Sequence, residues 1–134
     1  MQHPEDDSCI LFWDWLNFQY QPYIRSWFHV PNGGRRNRRE AARFKRMGVS
    51  AGVSDYICLC ARRGYNGLAL EMKAPPDCQS SVSDDQEKFL ENAALEGHFA
   101  VVAKGFDEAK SAVEWYFGDS LVLDVYSWYE VTDL

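Results

Sequence analysis

Two residues of opposite charge stand two positions apart near the end of an apolar segment, GLALEMKAP, at residues 67–75. Alternate side chains of a β-strand point to opposite faces, so Glu71 and Lys73 would share one face. Burying a charge is costly unless the charge is paired or binds a metal ion. An ion pair at a strand end accounts for the two residues by themselves, whereas catalysis needs a third group beside them.

The third group is Asp55. A strand over Asp55–Ala61 and a short turn after it predict a β-hairpin with the strand that carries Glu71. A hairpin centred near Arg63 sets Asp55 directly opposite Glu71, about 5 Å away on the same face. Two carboxylates repel each other there unless a divalent cation lies between them, and carboxylate oxygens suit Mg²⁺ or Mn²⁺. With Lys73 to orient water or neutralise phosphate charge, the sequence predicts metal-assisted phosphodiester hydrolysis.

The pattern of apolar residues, caps and turn residues predicts the elements that hold these side chains. Helices are predicted at 8–20, 36–47, 83–96 and 106–117, and strands at 26–30, 55–61, 67–73 and 99–103. Residues 119–134 are apolar and aromatic but match neither pattern. The order helix, strand, helix, hairpin, helix, strand, helix predicts one domain over residues 1–134, a mixed α/β sheet with helices on both faces.

Gln86 stands three residues after Ser83, as in a capping box at the start of the third predicted helix. Capping accounts for Gln86 without catalysis. The two roles are compatible, because a helix N-terminus pointing at the site would also favour an anionic ligand.

Charge is distributed unevenly along the chain. Residues 35–46 read RRNRREAARFKR and carry a net charge of +6, although the chain as a whole carries −6. This basic run could be a solvated helix face or a localisation-like tract. A basic patch on an acidic body also predicts contact with the DNA backbone. The helix is expected to turn Ala41, Ala42, Phe44 and Met47 inward. The candidate DNA-binding residues are Asn32, Arg35, Arg36, Arg38, Arg39 and Arg43.

Other features exclude several classes of protein. The four cysteines form no C-x-x-C pair, which argues against a zinc site, and neither size nor context suggests a disulfide framework. The N-terminus is acidic, and the apolar stretch after it is interrupted by Asp14 and far shorter than a membrane span. An intracellular, soluble protein without membrane association is expected.

Several blocks of sequence together resemble a known family. Asp55 followed by Glu71-Met72-Lys73 resembles the PD-(D/E)XK nuclease signature, which is a weak signal by itself. The wider series is more specific: HVPNGG at 29–34, FKRMGVSAGVSDYICL at 44–59, GYNGLALEMKAP at 64–75, SDDQEKFL at 83–90 and VAKGFDEA at 102–109. In this order they resemble the VRR-NUC domain, the virus-type replication–repair nuclease, over roughly residues 5–117.

The resemblance implies a restriction-endonuclease-like fold, Mg²⁺ or Mn²⁺ as cofactor and cleavage of branched DNA. Asp55 and Glu71 match the family's metal-binding acids, Lys73 its catalytic lysine and Gln86 an active-site glutamine. Glu5 is the nearest match to a glutamate of the first helix, and Asp6 or Asp7 could serve instead. Ser54 stands where the family usually has proline, which the chemistry does not require.

Small stand-alone members of the family act as homodimers on four-way (Holliday) junctions. The resemblance to a phage-like member therefore implies a junction-resolving endonuclease, in the cytoplasm of a bacterial host if phage-encoded. The aromatic excess at 11–20 and the apolar residues at 119–134 would supply a dimer interface. The alternatives are a flap endonuclease or exonuclease of the same fold and a non-catalytic DNA-binding module.

Overall fold

The computed structural model describes residues 3–31 and 37–131. It contains four α-helices and five strands, with one 3-10 helix after the first α-helix. The helices are α1 (Pro4–Gln19), α2 (Arg38–Arg46), α3 (Asp84–Leu95) and α4 (Phe106–Tyr116), and the 3-10 helix is Gln21–Ser26. The strands are β1 (Trp27–His29), β2 (Tyr56–Cys58), β3 (Leu68–Lys73), β4 (Phe99–Lys104) and β5 (Ser127–Tyr129).

One mixed sheet with the strand order β1-β2-β3-β4-β5 forms the centre of the fold. β3 and β4 are parallel, and α3 makes the crossover between them; the other neighbouring pairs are antiparallel. Parallel strands need such a crossover and are usually covered on both faces. All six residues of β3 are accordingly buried. The predicted mixed sheet flanked by helices is confirmed.

The alternation of side chains along β3 divides the core into two layers. Leu68, Leu70 and Met72 belong to the larger cluster, which also contains residues of α1 and α4. The opposite face of the sheet packs against α3 through a smaller cluster that includes Leu90. Glu71 and Lys73 lie on the α3 face, as the parity of the strand requires.

Helix α1 begins earlier than predicted. The expected start at Ser8 is wrong, because the helix begins at Pro4 and Ser8 is buried within it. Proline suits the first helical position, where its missing N–H costs no hydrogen bond. Glu5, Asp6 and Asp7 occupy the first turn, where acidic side chains interact favourably with the helix dipole.

The expected packing of α2 is wrong. Ala41, Ala42 and Met47 are exposed and Phe44 is only half-buried, and no residue of the helix is buried. Its formation depends on local features instead: the Asn37 side chain caps the helix by accepting from Glu40 N at 2.8 Å. The basic side chains of α2 are therefore exposed to solvent.

The C-terminal segment, which matched no pattern, adds an edge strand to the sheet. β5 pairs with β4, with Val101 opposite Trp128 and Val102 opposite Ser127. None of the helices within residues 3–31 and 37–131 has both the length and the apolar character needed to cross a membrane.

Candidate active site

Asp55 is held at the end of the β2–β3 ladder. Tyr56 pairs with Leu70, so Asp55, the residue just before β2, lies opposite Glu71. The Asp55 backbone carbonyl accepts from Val30 N at 2.7 Å, and its side-chain Oδ2 accepts from Met72 N, also at 2.7 Å. The carboxylate thus binds the backbone of β3 beside Glu71, as the hairpin register predicted.

Glu71, Lys73 and Gln86 form a closed set of polar contacts. Lys73 Nζ donates to Gln86 Oε1 at 2.9 Å, and Gln86 Nε2 donates to Glu71 Oε2 at 3.2 Å. Lys73 Nζ also lies 3.6 Å from Glu71 Oε2. Glu71 and Lys73 are only 3% and 6% exposed, so this pair is buried. Its charges are screened far less than those of a surface pair.

Gln86 belongs to this set because of how α3 begins. Ser83 accepts from Gln86 N through its hydroxyl at 3.2 Å, and Ser83 N donates to Gln86 Oε1 at 2.9 Å. This is a complete capping box. The same amide oxygen that caps the helix also accepts from Lys73, so the cap fixes the position of the glutamine side chain.

The site strongly disfavours a second negative charge when no cation is bound. Burial, and after it the charge of the neighbouring Asp55, raises the pKa of Glu71 to about 9 against the opposing effect of Lys73. Glu71 Oε1 is buried and accepts no hydrogen bond from residues 3–31 or 37–131. An unpaired buried carboxylate oxygen beside a second carboxylate is the donor set that Mg²⁺ or Mn²⁺ takes, so these residues fit a divalent metal ion.

Glu5 lies near this centre without completing it. Glu5 and Asp6 line a cavity of about 790 Å³ whose wall also contains Asp55 and Met72. Among residues 3–31 and 37–131, no three His, Cys, Asp or Glu side chains are grouped closely enough to hold a metal ion by themselves. The assignment of Glu5, or of Asp6 or Asp7 in its place, as a further metal ligand stays a prediction.

The predicted DNA-binding residues lie apart from the carboxylates in the sequence and fall into two groups. Asn32, Arg35 and Arg36 lie outside the described residues. Arg38, Arg39 and Arg43 are exposed on α2, and the Arg43 guanidinium stacks over the Phe44 ring at 5.8 Å.

Sequence reasoning missed two residues that the tertiary structure brings to the site. Gly52 packs against the first turn of α3, and Lys104 pairs with Lys73 across β3 and β4. The signal for Gly52 was its place in the loop before Asp55. No local pattern marked Lys104, because β3 and β4 are brought together only by the crossover helix α3.

Comparison with known proteins agrees with this architecture. Residues 4–107 match the family model of the VRR-NUC domain. A solved structure of a VRR_NUC domain protein is similar to this chain, with a TM-score of 0.74 and 35% sequence identity. The alignment covers 88% of this chain and 91% of that one. None of the curated proteins compared with the chain matches it.

Replacing Gly52 with alanine should displace Gln86. Gly52 has φ +84, and a Cβ there would lie 2.4 Å from the backbone carbonyl of Asp85. Gly48→Ala is the matched control, because Gly48 has φ +102 and open space around it. Left-handed backbone costs each alanine about 1–2 kcal/mol, and the clash should cost Gly52→Ala about 1–3 kcal/mol more. Urea unfolding of both variants measures the difference in their free energies of unfolding. Equal losses of stability in Gly52→Ala and Gly48→Ala would contradict the contact between Gly52 and α3.

Glu71→Gln should stabilise the metal-free protein in a pH-dependent manner. Because the folded pKa of about 9 lies above the ordinary value of 4.5, the wild type loses stability as pH rises between these values. Glutamine does not titrate, so its advantage should grow over that range in EDTA. Thermal unfolding measures it. Added Mn²⁺ should raise the wild-type Tm but not that of Glu71→Gln; a pH-independent difference would refute the assignment.

Proposed function

The chain belongs to the VRR-NUC domain family, whose members are nucleases of the PD-(D/E)XK type, and we propose that it is a metal-dependent endonuclease for branched DNA. The observation that carries this proposal is the convergence of Asp55, Glu71, Lys73 and Gln86 at one end of β3. Membership in the family supports a DNA substrate.

In this proposal Asp55 and Glu71 hold Mg²⁺ or Mn²⁺, with Glu5 as an additional ligand from α1. The ion would act as a Lewis acid for the phosphodiester and for the attacking water. Ionised Glu71 is needed for binding, and its raised pKa means that metal binding releases a proton at neutral pH.

Lys73 would orient the attacking water and stabilise the charge that develops on the phosphate. Its ammonium is buried and already directed by Gln86 Oε1 at 2.9 Å, so little reorganisation is needed when substrate binds. Gln86 holds both Lys73 and Glu71, and we assign it an active-site role through these two contacts.

The substrate backbone would contact the basic segment. Arg38, Arg39 and Arg43 are exposed on a helix that buries none of its own residues. Asn32, Arg35 and Arg36 precede this helix and complete the proposed DNA-binding set. Contacts of this kind bind phosphates irrespective of base sequence, as selection of a DNA structure requires.

A homodimer is proposed because resolving a four-way junction needs two symmetric cuts and one site cuts one strand. Phe18 is 81% exposed at the end of α1, and Leu121 is 94% exposed. These segments are joined, since the Tyr20 hydroxyl donates to Asp119. Large exposed apolar side chains on neighbouring segments are typical of a protein interface.

Cutting should depend on the divalent ion and on the four site residues. Asp55→Ala or Glu71→Ala should abolish cleavage of labelled four-way, flap and duplex DNA in Mn²⁺, yet preserve DNA binding measured by mobility shift. Lys73→Ala should lose cleavage and keep the Mn²⁺-induced rise in Tm. Lys88→Ala, an exposed lysine on α3, is the control and should cut normally. Activity in EDTA would overturn the metal-dependent mechanism.

The protein should be a dimer in solution and should make paired nicks in a four-way junction. Light scattering after size exclusion should give about twice the 15.5 kDa chain mass. Phe18→Ser with Leu121→Ser should yield a monomer that makes single nicks only. Leu95→Ser, at a position 63% exposed on α3, should stay dimeric. A monomeric wild type with paired cuts would remove the symmetry argument, and cleavage of flaps but not junctions would indicate a flap nuclease.

A further inference from the structure

A second cavity has Lys73 in its wall. Its volume is about 630 Å³, and β3, β4, β5 and the segment before α3 all contribute to its wall. The character of this wall is basic, hydroxyl-bearing and aromatic. The residues that give it this character are Lys73, Lys104, Ser80, Ser127, Tyr126 and Trp128.

The two lysines occupy paired positions at the carboxyl ends of the parallel strands β3 and β4. Neighbouring strands lie about 4.8 Å apart, so the two ammonium groups project from adjacent sites on one face. Like charges in this relation destabilise a sheet unless an anion lies near them. Lys73 has Glu71 as a partner, but within residues 3–31 and 37–131 no carboxylate forms an ion pair with Lys104.

Lys104 is positioned by an aromatic ring and by a hydrogen bond from its backbone instead. Its ammonium lies over the Tyr126 ring, 3.9 Å from the centroid. Glu108 Oε1 accepts from the backbone N–H groups of both Lys104 and Tyr126, at 2.9 Å and 2.7 Å. Glu108 therefore joins the start of α4 to the segment before β5 and holds the lysine and the aromatic ring together.

A hydroxyl in the same cavity lacks a partner. Ser80 Oγ is buried and makes no hydrogen bond within the described residues, and Ser80 contributes to the cavity wall. That oxygen has almost no accessible surface, so it reaches a ligand only if the side chain turns. The Lys104 ammonium has a ring contact but no ion pair among the described residues, and it calls for an anion with several acceptor oxygens.

We propose that this cavity binds a DNA phosphate next to the scissile phosphate, with Lys104 as its ligand. The inference rests on the proposed nuclease function, because Lys73 forms a wall common to the cavity and the active site. Tyr126, 56% exposed, flanks the cavity beside Lys104, where it would stack on the neighbouring sugar or base. Glu87 also lines the cavity, but it is exposed and so is screened by solvent.

The test compares Lys104→Gln with Lys110→Gln, which removes the same charge from a lysine outside the cavity. Both are made in a Glu71→Gln background, so that binding is measured without cutting, by fluorescence anisotropy of labelled four-way junction and flap DNA. Lys104→Gln should weaken binding about tenfold, as for one lost charge-assisted hydrogen bond. The slope of log affinity against log salt should fall by about 1. Lys104→Arg should recover most of the affinity.

Each outcome decides a separate question. If Lys104→Gln and Lys110→Gln bind alike, or if Arg at position 104 recovers nothing, the cavity is not a phosphate site. If protein with native Glu71 binds DNA but never cuts it with Mn²⁺, the nuclease proposal fails, and the Lys104 comparison still decides the cavity. Absence of any DNA affinity overturns both. Thermal unfolding of each variant shows whether the loss of the Tyr126 contact has altered the fold.

Discussion

A carboxylate and an ammonium buried side by side at the end of β3 are the feature around which this protein is organised. Neither Glu71 nor Lys73 would be stable there by itself, because an unpaired buried charge costs several kcal/mol. Gln86, held by the α3 cap, supplies part of the hydrogen bonding that these two buried groups need. The raised pKa of Glu71 and its Oε1, which has no partner among the described residues, fit the divalent ion that we propose to complete the site.

The charges that line the two cavities near this pair differ in sign. Glu5, Asp6 and Asp55 line one cavity, and Lys73 and Lys104, with the exposed Glu87, line the other. Under the two proposals the first would take a cation and the second an anion. A metal ion and a phosphate would thus meet at one strand end, each in a cavity lined by residues of the opposite charge.

The parts that would contact DNA are held less tightly than the centre. Helix α2 buries no residue, and β5 is a three-residue edge strand. Elements with little buried surface open at low free energy cost and can adjust to a ligand. Glu71, in contrast, lies on β3, whose six residues are all buried, and the neighbouring strand β4 is buried except at Lys104. A rigid centre with adaptable contacts around it suits recognition of DNA shape.

The sequence by itself determined the local relations: alternation along β3 set Glu71 and Lys73 on one face, the short hairpin set Asp55 opposite Glu71, and the capping box located Gln86 at a helix start. These relations follow from neighbours close in the chain. Only the tertiary structure decided that α2 leaves its apolar residues exposed and that Lys104 lies beside Lys73. The register of parallel strands depends on how the crossover helix packs, and burial of a helix depends on whether another element covers it, so neither can be read from a local pattern.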